Sequence, residues 1–515
     1  MSSFLLLILG TLDPRRRRQE NNQNESSAKW RLSDTVLPVH AIDNTPTLRR
    51  IVTSQALRFD DVLDGDLLYS SLTELLSTGN WKRLGGRFRL NAANKLELHV
   101  PDQFSDEIPA VSYSHASYPV NIDETVDAEI LRSHAGKARV IEIPDGVRRF
   151  LVGPHTPMSI DDYVRLDIPL ISLHVINYAD ATLVTLTWPH ALTDGMGWIG
   201  VVKNWCKILA GAKDEIEDLA GLHEDPLTKM DTDNSLGDQP FDLDDKRLQG
   251  LRLLMFFIRS LAAWIFTPKT HHRGIFIPAR LFAHIKQQTQ QQQDVLFKDD
   301  PDNKPFISNG DILASWLIRL ACSKMFTPSN RSLVIMGAFD LRSRLQKLLE
   351  PRAVYAQNLL AWSFTFVSLW DVLTAPLSRF ALHIRQSIKL QTSESQVDTA
   401  VRRNLESISK TGTIPLYADS NSILVVVSNL SRLRWHDVFD FRQAVVNEGL
   451  GKRVATVGLP VWQIGCSESA DSFAITFQIN GVDLDGNYWA EAILPDYAWQ
   501  DIQRQLLEWE QSNSV

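Results

Sequence analysis

Apolar and polar residues recur with clear periods along most of this chain. Over residues 66–77, Leu67, Leu68, Leu72, Leu75 and Leu76 fall at helical spacing, and Gly79-Asn80 marks the stop. Ser33 to Val39 reads as a short strand. Gly85 to Leu90 and Leu96 to Val100 read as strands around a turn at Asn91 to Asn94. Leu170 to Val175 and Ala181 to Trp188 are richer strands, separated by an Asn177 to Asp180 turn. After Asp194, the apolar residues Met196, Trp198, Ile199, Val202, Trp205, Ile208 and Leu209 predict a helix.

The second half repeats this mixture. Ser308-Asn309-Gly310-Asp311 supplies helix caps ahead of Ile312, Leu313, Trp316, Leu317 and Leu320. Gly274 to Pro278, Leu333 to Ala338, Ser422 to Val427 and Phe473 to Ile479 read as strands, and Trp499 to Trp509 as a closing helix. Gln287 to Gln293 is a low-complexity polar patch, read as a surface loop or frayed helix end. The pattern predicts an α/β sandwich of two domains. The first covers residues 31–210, a crossover and linking segment covers 211–307, and the second covers 308–515. Residues 1–30 read as a disordered leader. Their apolar run Phe4 to Gly10 is too short to span a bilayer and lacks signal-peptide flanks, so a floppy leader or a mispredicted start fits better than targeting.

One apolar stretch stands apart. Leu251 to Phe266 is a helix interrupted only by Arg252 and Arg259, too short and too charged for a membrane span. It reads first as a helix packed on the protein, with peripheral contact to a membrane surface as the alternative.

Composition narrows the function. At 515 residues and 44% hydrophobic content, the chain can bury large cores. A net charge of −8 argues against a general nucleic-acid partner, though not against a local basic patch for a cofactor's phosphates. The three cysteines, Cys206, Cys322 and Cys466, are widely spaced. They suggest neither a zinc site nor a disulfide framework, and they fit a reducing, cytoplasmic setting.

The candidate chemistry lies at His190-Ala191-Leu192-Thr193-Asp194-Gly195. A histidine on a loop after a strand can expose its imidazole, and its ordinary pKa suits proton transfer near neutrality. A hydroxyl becomes a competent nucleophile only when a base takes its proton. Asp194 can hold the loop through a salt bridge, and Gly195 and Gly197 permit tight backbone geometry. The bland reading of the same residues is a hydrogen-bonded structural histidine.

The segment Thr182 to Gly197 resembles the signature of BAHD-type acyltransferases. It is most similar to the fungal branch that modifies secondary metabolites, including trichothecene O-acetyltransferase-like proteins. Leu84-Gly85-Gly86-Arg87-Phe88, Phe339-Asp340-Leu341-Arg342-Ser343-Arg344 and Tyr355-Ala356-Gln357-Asn358 resemble further elements of that family, in the same order. The resemblance implies two chloramphenicol-acetyltransferase-like domains with an active-site tunnel at their interface. It implies a monomer that binds no resident cofactor or metal. Acyl-CoA, acetyl-CoA first, would be co-substrate, and a small-molecule alcohol the acceptor. His190 would be the general base, with Asp194 fixing its loop against Arg342 or Arg344.

The chain departs from the family at the C-terminal Asp-Phe-Gly-Trp-Gly motif, where it has Asp440-Phe441-Arg442-Gln443-Ala444. Asp440 and Phe441 remain as a remnant. Ser428 and Asn429 are candidates for oxyanion or pantetheine contacts, read equally well as ordinary strand-end polar residues. His271-His272 reads as a surface pair rather than a metal site. Two other functions stay open. A condensation-type enzyme taking acyl groups from a carrier protein usually has a second histidine where this chain has Pro189. A catalytically silent, small-molecule-binding relative would fit the altered residues 442–444.

Overall fold

A computed structural model describes residues 31–125, 136–229, 240–448, 457–466 and 474–513. The expected leader, residues 1–30, lies outside them.

Two large sheets organise the chain. The five-stranded sheet runs in the order Trp462–Gly465, Val52–Phe59, Thr182–Pro189, Ser172–Asn177, Ser112–Ser117. Its strand Thr182–Pro189 is buried along its whole length. Period-two alternation explains this: Val184, Leu186 and Trp188 join one core, while Leu183 joins a second core on the other face. The first core is closed by the helices Gly65–Ser77 and Gly195–Leu209. Leu68, Leu72, Leu75 and Leu76 come from the former, and Trp198, Val202 and Trp205 from the latter. Each such side chain contributes about 1.5–3 kcal/mol on burial.

The seven-stranded sheet runs Leu360–Ser368, Ser332–Asp340, Ile423–Asn429, Ile475–Val482, Tyr488–Pro495, Thr270–Ile277, Arg139–Ile141. It too is covered on both faces. Leu333 and Ile335 pack under the helices Ala279–Leu296, Asn309–Met325, Leu377–Gln391 and Asp496–Ser512. Val334 and Met336 point the other way, into a core with Phe256 and Ala400. The two halves therefore form the α/β pair of domains that the periodicity predicts.

The domain limits differ from the sequential division. Arg139–Ile141, from the first half, pairs with Thr270–Ile277 at the edge of the seven-stranded sheet. Trp462–Gly465, from the second half, pairs with Val52–Phe59 at the edge of the five-stranded sheet. Strand Thr270–Ile277 and helix Ala279–Leu296 also belong to the second sheet's layer, so that domain begins well before residue 308. Gln287 to Gln293 is not a loop but part of this helix, with Thr289 and Gln293 buried. The two sheets exchange strands, which no local period signals.

A buried polar chain crosses between the sheets. Gln55 Nε2 donates to Gln463 Oε1 (2.8 Å), and Gln463 Nε2 donates to the Asn480 carbonyl (2.9 Å). Glu491 accepts from Asn480 Nδ2, from Gly465 N (2.7 Å) and from His272 Nε2 (2.8 Å). Burial opposes the Glu491 charge, but His272 and these donors outweigh it and lower its pKa. His272 is thus half of a largely buried pair rather than a surface residue.

Candidate active site

His190 stands where the strand Thr182–Pro189 ends. Its N–H still donates to the Ile51 carbonyl (2.9 Å), continuing the strand pairing by one residue before the chain turns away. Leu192 N closes that turn on the Pro189 carbonyl (2.9 Å). Trp188 before the turn stacks on Trp198 after it, with ring centroids 4.1 Å apart, so the loop is clamped at its base.

Asp194 ends the loop and starts the helix Gly195–Leu209. It is the N-cap, and one carboxylate oxygen accepts from Gly197 N (2.8 Å). The other accepts from Leu359 N (2.9 Å) and Arg342 Nη1 (3.1 Å). Arg342 spends its remaining donors on Asp340 (2.7 Å) and on the carbonyls of Tyr355 (2.8 Å) and Gln357 (2.7 Å). Burial disfavours the Arg342 charge, but Asp194 and Asp340 outweigh it and raise its pKa. Asp194 thus reaches into the other half of the molecule.

Of the two arginines the sequence offered, only Arg342 meets Asp194. Arg344 donates to the Thr392 carbonyl (2.7 Å) and lies over the Phe339 ring. The end of the strand at Asp340 allows the split, because residues two apart would share one face only if the strand continued. The glycine assignment also shifts. A Cβ on Gly195 would lie 3.6 Å from Leu430 Cδ1, an ordinary contact. A Cβ on Gly197 would lie 2.3 Å from the Ala356 carbonyl oxygen, so only glycine lets the helix approach the Tyr355–Asn358 segment.

That segment supplies a residue the sequence reading passed over. Asn358 Nδ2 donates to the His190 carbonyl (2.8 Å) and to Asp43 Oδ1 (2.5 Å). Asp43 Oδ1 also accepts from Asn358 N (2.8 Å). Asp43 is fully buried, and its Oδ2 has no hydrogen-bond partner among the described residues. Burial pushes its pKa up to about 7, against the Asn358 hydrogen bonds and the charge of Arg83. The signal available beforehand was the Tyr355 to Asn358 resemblance; nothing in sequence marked Asp43.

The His190 imidazole is partly buried. Nδ1 is enclosed, with no hydrogen-bond partner among the described residues beyond its own backbone. Burial lowers its pKa, while Asp194, that backbone and Asn358 push the other way. The arrangement keeps the ring neutral at physiological pH, the state a general base requires.

The remaining candidates sit in different surroundings. Asn429 is committed to backbone: Nδ2 donates to the Gly310 carbonyl (3.1 Å), and Oδ1 accepts from Ser431 N (3.1 Å). It therefore pins the start of helix Asn309–Met325 and is not free to bind an oxyanion. Ser428 is half-buried on the strand Ile423–Asn429, and its hydroxyl makes no hydrogen bond to a described residue. Phe441 is a core side chain, stacked on Phe59 at 5.2 Å and tilted against Trp205 at 4.7 Å. Asp440 pairs with Arg442 at the surface. The altered residues 442–444 form a short 3-10 turn whose end, Ala444, is buried in the first core.

A cleft of 730 Å³ is lined by Lys286, Lys304, Arg432, Asn309, Gly310 and Ser431 among others. Its wall at Ser431 adjoins Leu430, the residue against Gly195. Among the described residues, no group of histidine, cysteine and carboxylate side chains could hold a metal ion. The three thiols are free, and burial pushes each up to about 12, which keeps them unreactive.

No family model matches the chain. Curated relatives do. O-acetyltransferase PaAT-2 of Phomopsis amygdali is 31% identical over 484 residues, covering 92% of this chain and 98% of that protein. Acetyltransferase BOT5 of Botryotinia fuckeliana is 32% identical over 502 residues, covering 92% and 90%. A Penicillium decumbens protein named transcriptional regulator calD is 30% identical over 482 residues, covering 92% and 96%. Among solved structures, TRI101 of F. sporotrichioides, complexed with coenzyme A and T-2, superposes with a TM-score of 0.60 at 14% identity, covering 91% of this chain and 96% of that one. Vinorine synthase superposes at 0.50 and 13%, covering 94% and 95%. The first condensation domain of the calcium-dependent antibiotic synthetase does so at 0.51 and 10%, covering 89% and 90%.

Fold and relatives together define the class, a two-domain acyltransferase. The chain belongs to the family of fungal acetyltransferases that includes PaAT-2 and BOT5.

Proposed function

We propose that the protein moves an acetyl group from acetyl-CoA to a hydroxyl of a hydrophobic secondary metabolite, with His190 as general base. The observation that carries this reading is the state of His190. Its ring is kept neutral, and its loop is held from behind by Asp194, Arg342 and Asn358. With Nδ1 turned to its own backbone, Nε2 is the atom left to take the acceptor's proton. The acceptor oxygen attacks the thioester carbonyl directly. A C–O bond forms, the C–S bond breaks, and the proton held on Nε2 passes to the leaving thiolate. No acyl-enzyme is needed.

The donor assignment is supported by the cleft beside Ser431. Lys286, Lys304 and Arg432 face it, together with the N-terminal turn of helix Asn309–Met325 at Asn309 and Gly310. Cations beside free helix N–H groups suit the phosphates of a CoA ester. The names of the acetyltransferase relatives favour acetyl over longer chains. The same reading takes the enzyme as a cytoplasmic monomer without a resident cofactor.

The test is thiol release from acetyl-CoA in the presence of hydroxylated terpenoid or polyketide acceptors. His190→Ala should keep its fold and its affinity for CoA while losing ~10²–10⁴-fold in rate. Wild-type turnover in that variant overturns the mechanism. Turnover with carrier-bound acyl groups but not with CoA esters overturns the donor assignment.

A further inference from the structure

The helix Gly250–Phe266 buries one residue, Phe256, of its 17. Leu253 and Phe257 pack beside it against the core around Val334 and Phe364. The opposite face is open and strongly apolar. Leu251 is 72% exposed, Ile258 50%, Ile265 60% and Phe266 86%. Leu251, Ile258 and Ile265 follow one another at seven-residue spacing, so they form a single stripe along the helix. Arg252 and Arg259 repeat the same spacing one position on and flank that stripe. At 1.5 Å per residue the helix is roughly 25 Å long, and it lies along the molecule's surface. No helix among the described residues is long and apolar enough to cross a membrane.

Charge singles out the occupant of this face. From Lys246 to Gln293 the chain carries no Asp or Glu, although it holds 61 such residues in total and its net charge is −8. Arg252 donates to the Asp245 carbonyl (3.2 Å), and Arg259 to the carbonyl and hydroxyl of Ser420 (3.0 Å each). Neither has a carboxylate partner among the described residues. Arg331 lies near Arg259: burial, then the Arg259 charge, lowers its pKa. Its Nε is spent on the Asn421 carbonyl (2.7 Å). The face therefore combines an exposed apolar stripe with a cationic edge that no carboxylate among the described residues pairs. A second copy docked on the same face would bring these guanidinium groups together without a counter-charge, which disfavours self-association.

We propose that the Gly250–Phe266 face docks the protein on an anionic phospholipid surface. The apolar stripe enters the headgroup–acyl boundary, and Arg252 and Arg259 reach lipid phosphates and carboxylates beside it. This inference is independent of the chemistry assigned to His190.

Co-sedimentation of the full-length protein with vesicles tests it. One set is phosphatidylcholine alone, the other phosphatidylcholine mixed with phosphatidylserine. The wild type should pellet with the anionic vesicles, bind neutral ones at least about 10-fold more weakly, and be released by salt. Ile258→Asp/Ile265→Asp should abolish binding. Arg252→Gln/Arg259→Gln should weaken binding to anionic vesicles roughly 30-fold. All substituted side chains are exposed, and unchanged thermal melts establish that the variants are folded. No pelleting of wild type at low salt overturns the proposal. So does anionic binding that persists in Ile258→Asp/Ile265→Asp. So does a concentration-dependent dimer, seen by sedimentation velocity, that this variant dissolves.

Discussion

Replacing Asp194 with alanine should damage the fold before it damages the chemistry, and the magnitude follows from its contacts. The carboxylate is 5% exposed and serves Gly197 N, Leu359 N and Arg342 together. Deletion leaves two enclosed N–H groups without acceptors, at ~1–3 kcal/mol each. Arg342 keeps Asp340 and its carbonyl partners, so its charge is not stranded outright. The total should be ~3–5 kcal/mol, within the range for breaking one side of a buried ion pair. At about 2 °C per kcal/mol for a large chain, thermal denaturation should shift down by roughly 6–10 °C. Arg342→Met should lose a comparable amount. Because both serve one contact, the double variant should fall short of the sum by ~1–3 kcal/mol. Additive losses in that cycle would refute the argument, as would an Asp194→Ala protein that melts with the wild type. Asp194→Asn keeps one acceptor oxygen and should recover part of the loss.

Three other outcomes follow from the same geometry. Gly197→Ala, whose new Cβ would sit 2.3 Å from the Ala356 oxygen, should cost ~1–3 kcal/mol, whereas Gly195→Ala should leave the melting temperature unchanged or raised; equal effects would show that the helix is not pressed on the Tyr355–Asn358 segment. The pH–rate profile of kcat/KM should rise with a midpoint below the ordinary histidine value of 6.5, since burial lowers the His190 pKa and only the neutral ring is a base; a midpoint at or above 6.5 contradicts this. Asp43, with a folded pKa of about 7 raised from 3.8, gives stability that is complete below 3.8 and lost as pH rises through 7. Its removal in Asp43→Asn should therefore flatten stability between pH 6 and 8 relative to wild type by about 1.4 kcal/mol, measured by denaturant titration, and parallel curves would refute the raised pKa.

What could be read from the sequence was whatever has a local period or a local spacing. The helices at 65–77, 195–209 and 309–325 follow from apolar recurrence, and the last also from its cap at Ser308. The loop bearing His190 follows from a buried strand running into Pro189 and from Asp194 and Gly195 shortly after it. What could not be read were contacts between segments far apart in the chain. Arg342 and Arg344 are equivalent in pattern, and only the fold beyond the strand end at Asp340 shows which one turns to Asp194. Asn429 looked free because its partners, Gly310 and Ser431, meet it only when helix Asn309–Met325 packs beside its strand. The exchanged strands Arg139–Ile141 and Trp462–Gly465 are invisible for the same reason, since each is an ordinary short run that pairs in the other half.

The shape of the site follows from that division between local and distant. The proton-handling side chain sits on a locally coded loop, and the groups that hold His190 and Asp194 from outside that loop arrive from distant parts of the chain. Asn358 comes 168 residues later, Arg342 bridges 148 residues to Asp194, and Asp43 precedes Asn358 by 315. Such a site is assembled only when both sheets are in place, since Arg342 and Asn358 flank strands of the seven-stranded sheet while His190 ends a strand of the five-stranded one. Substitutions in Asp194, Arg342, Asn358 or Asp43 should therefore lower rate and melting temperature together, whereas a change confined to the His190 ring should lower rate alone.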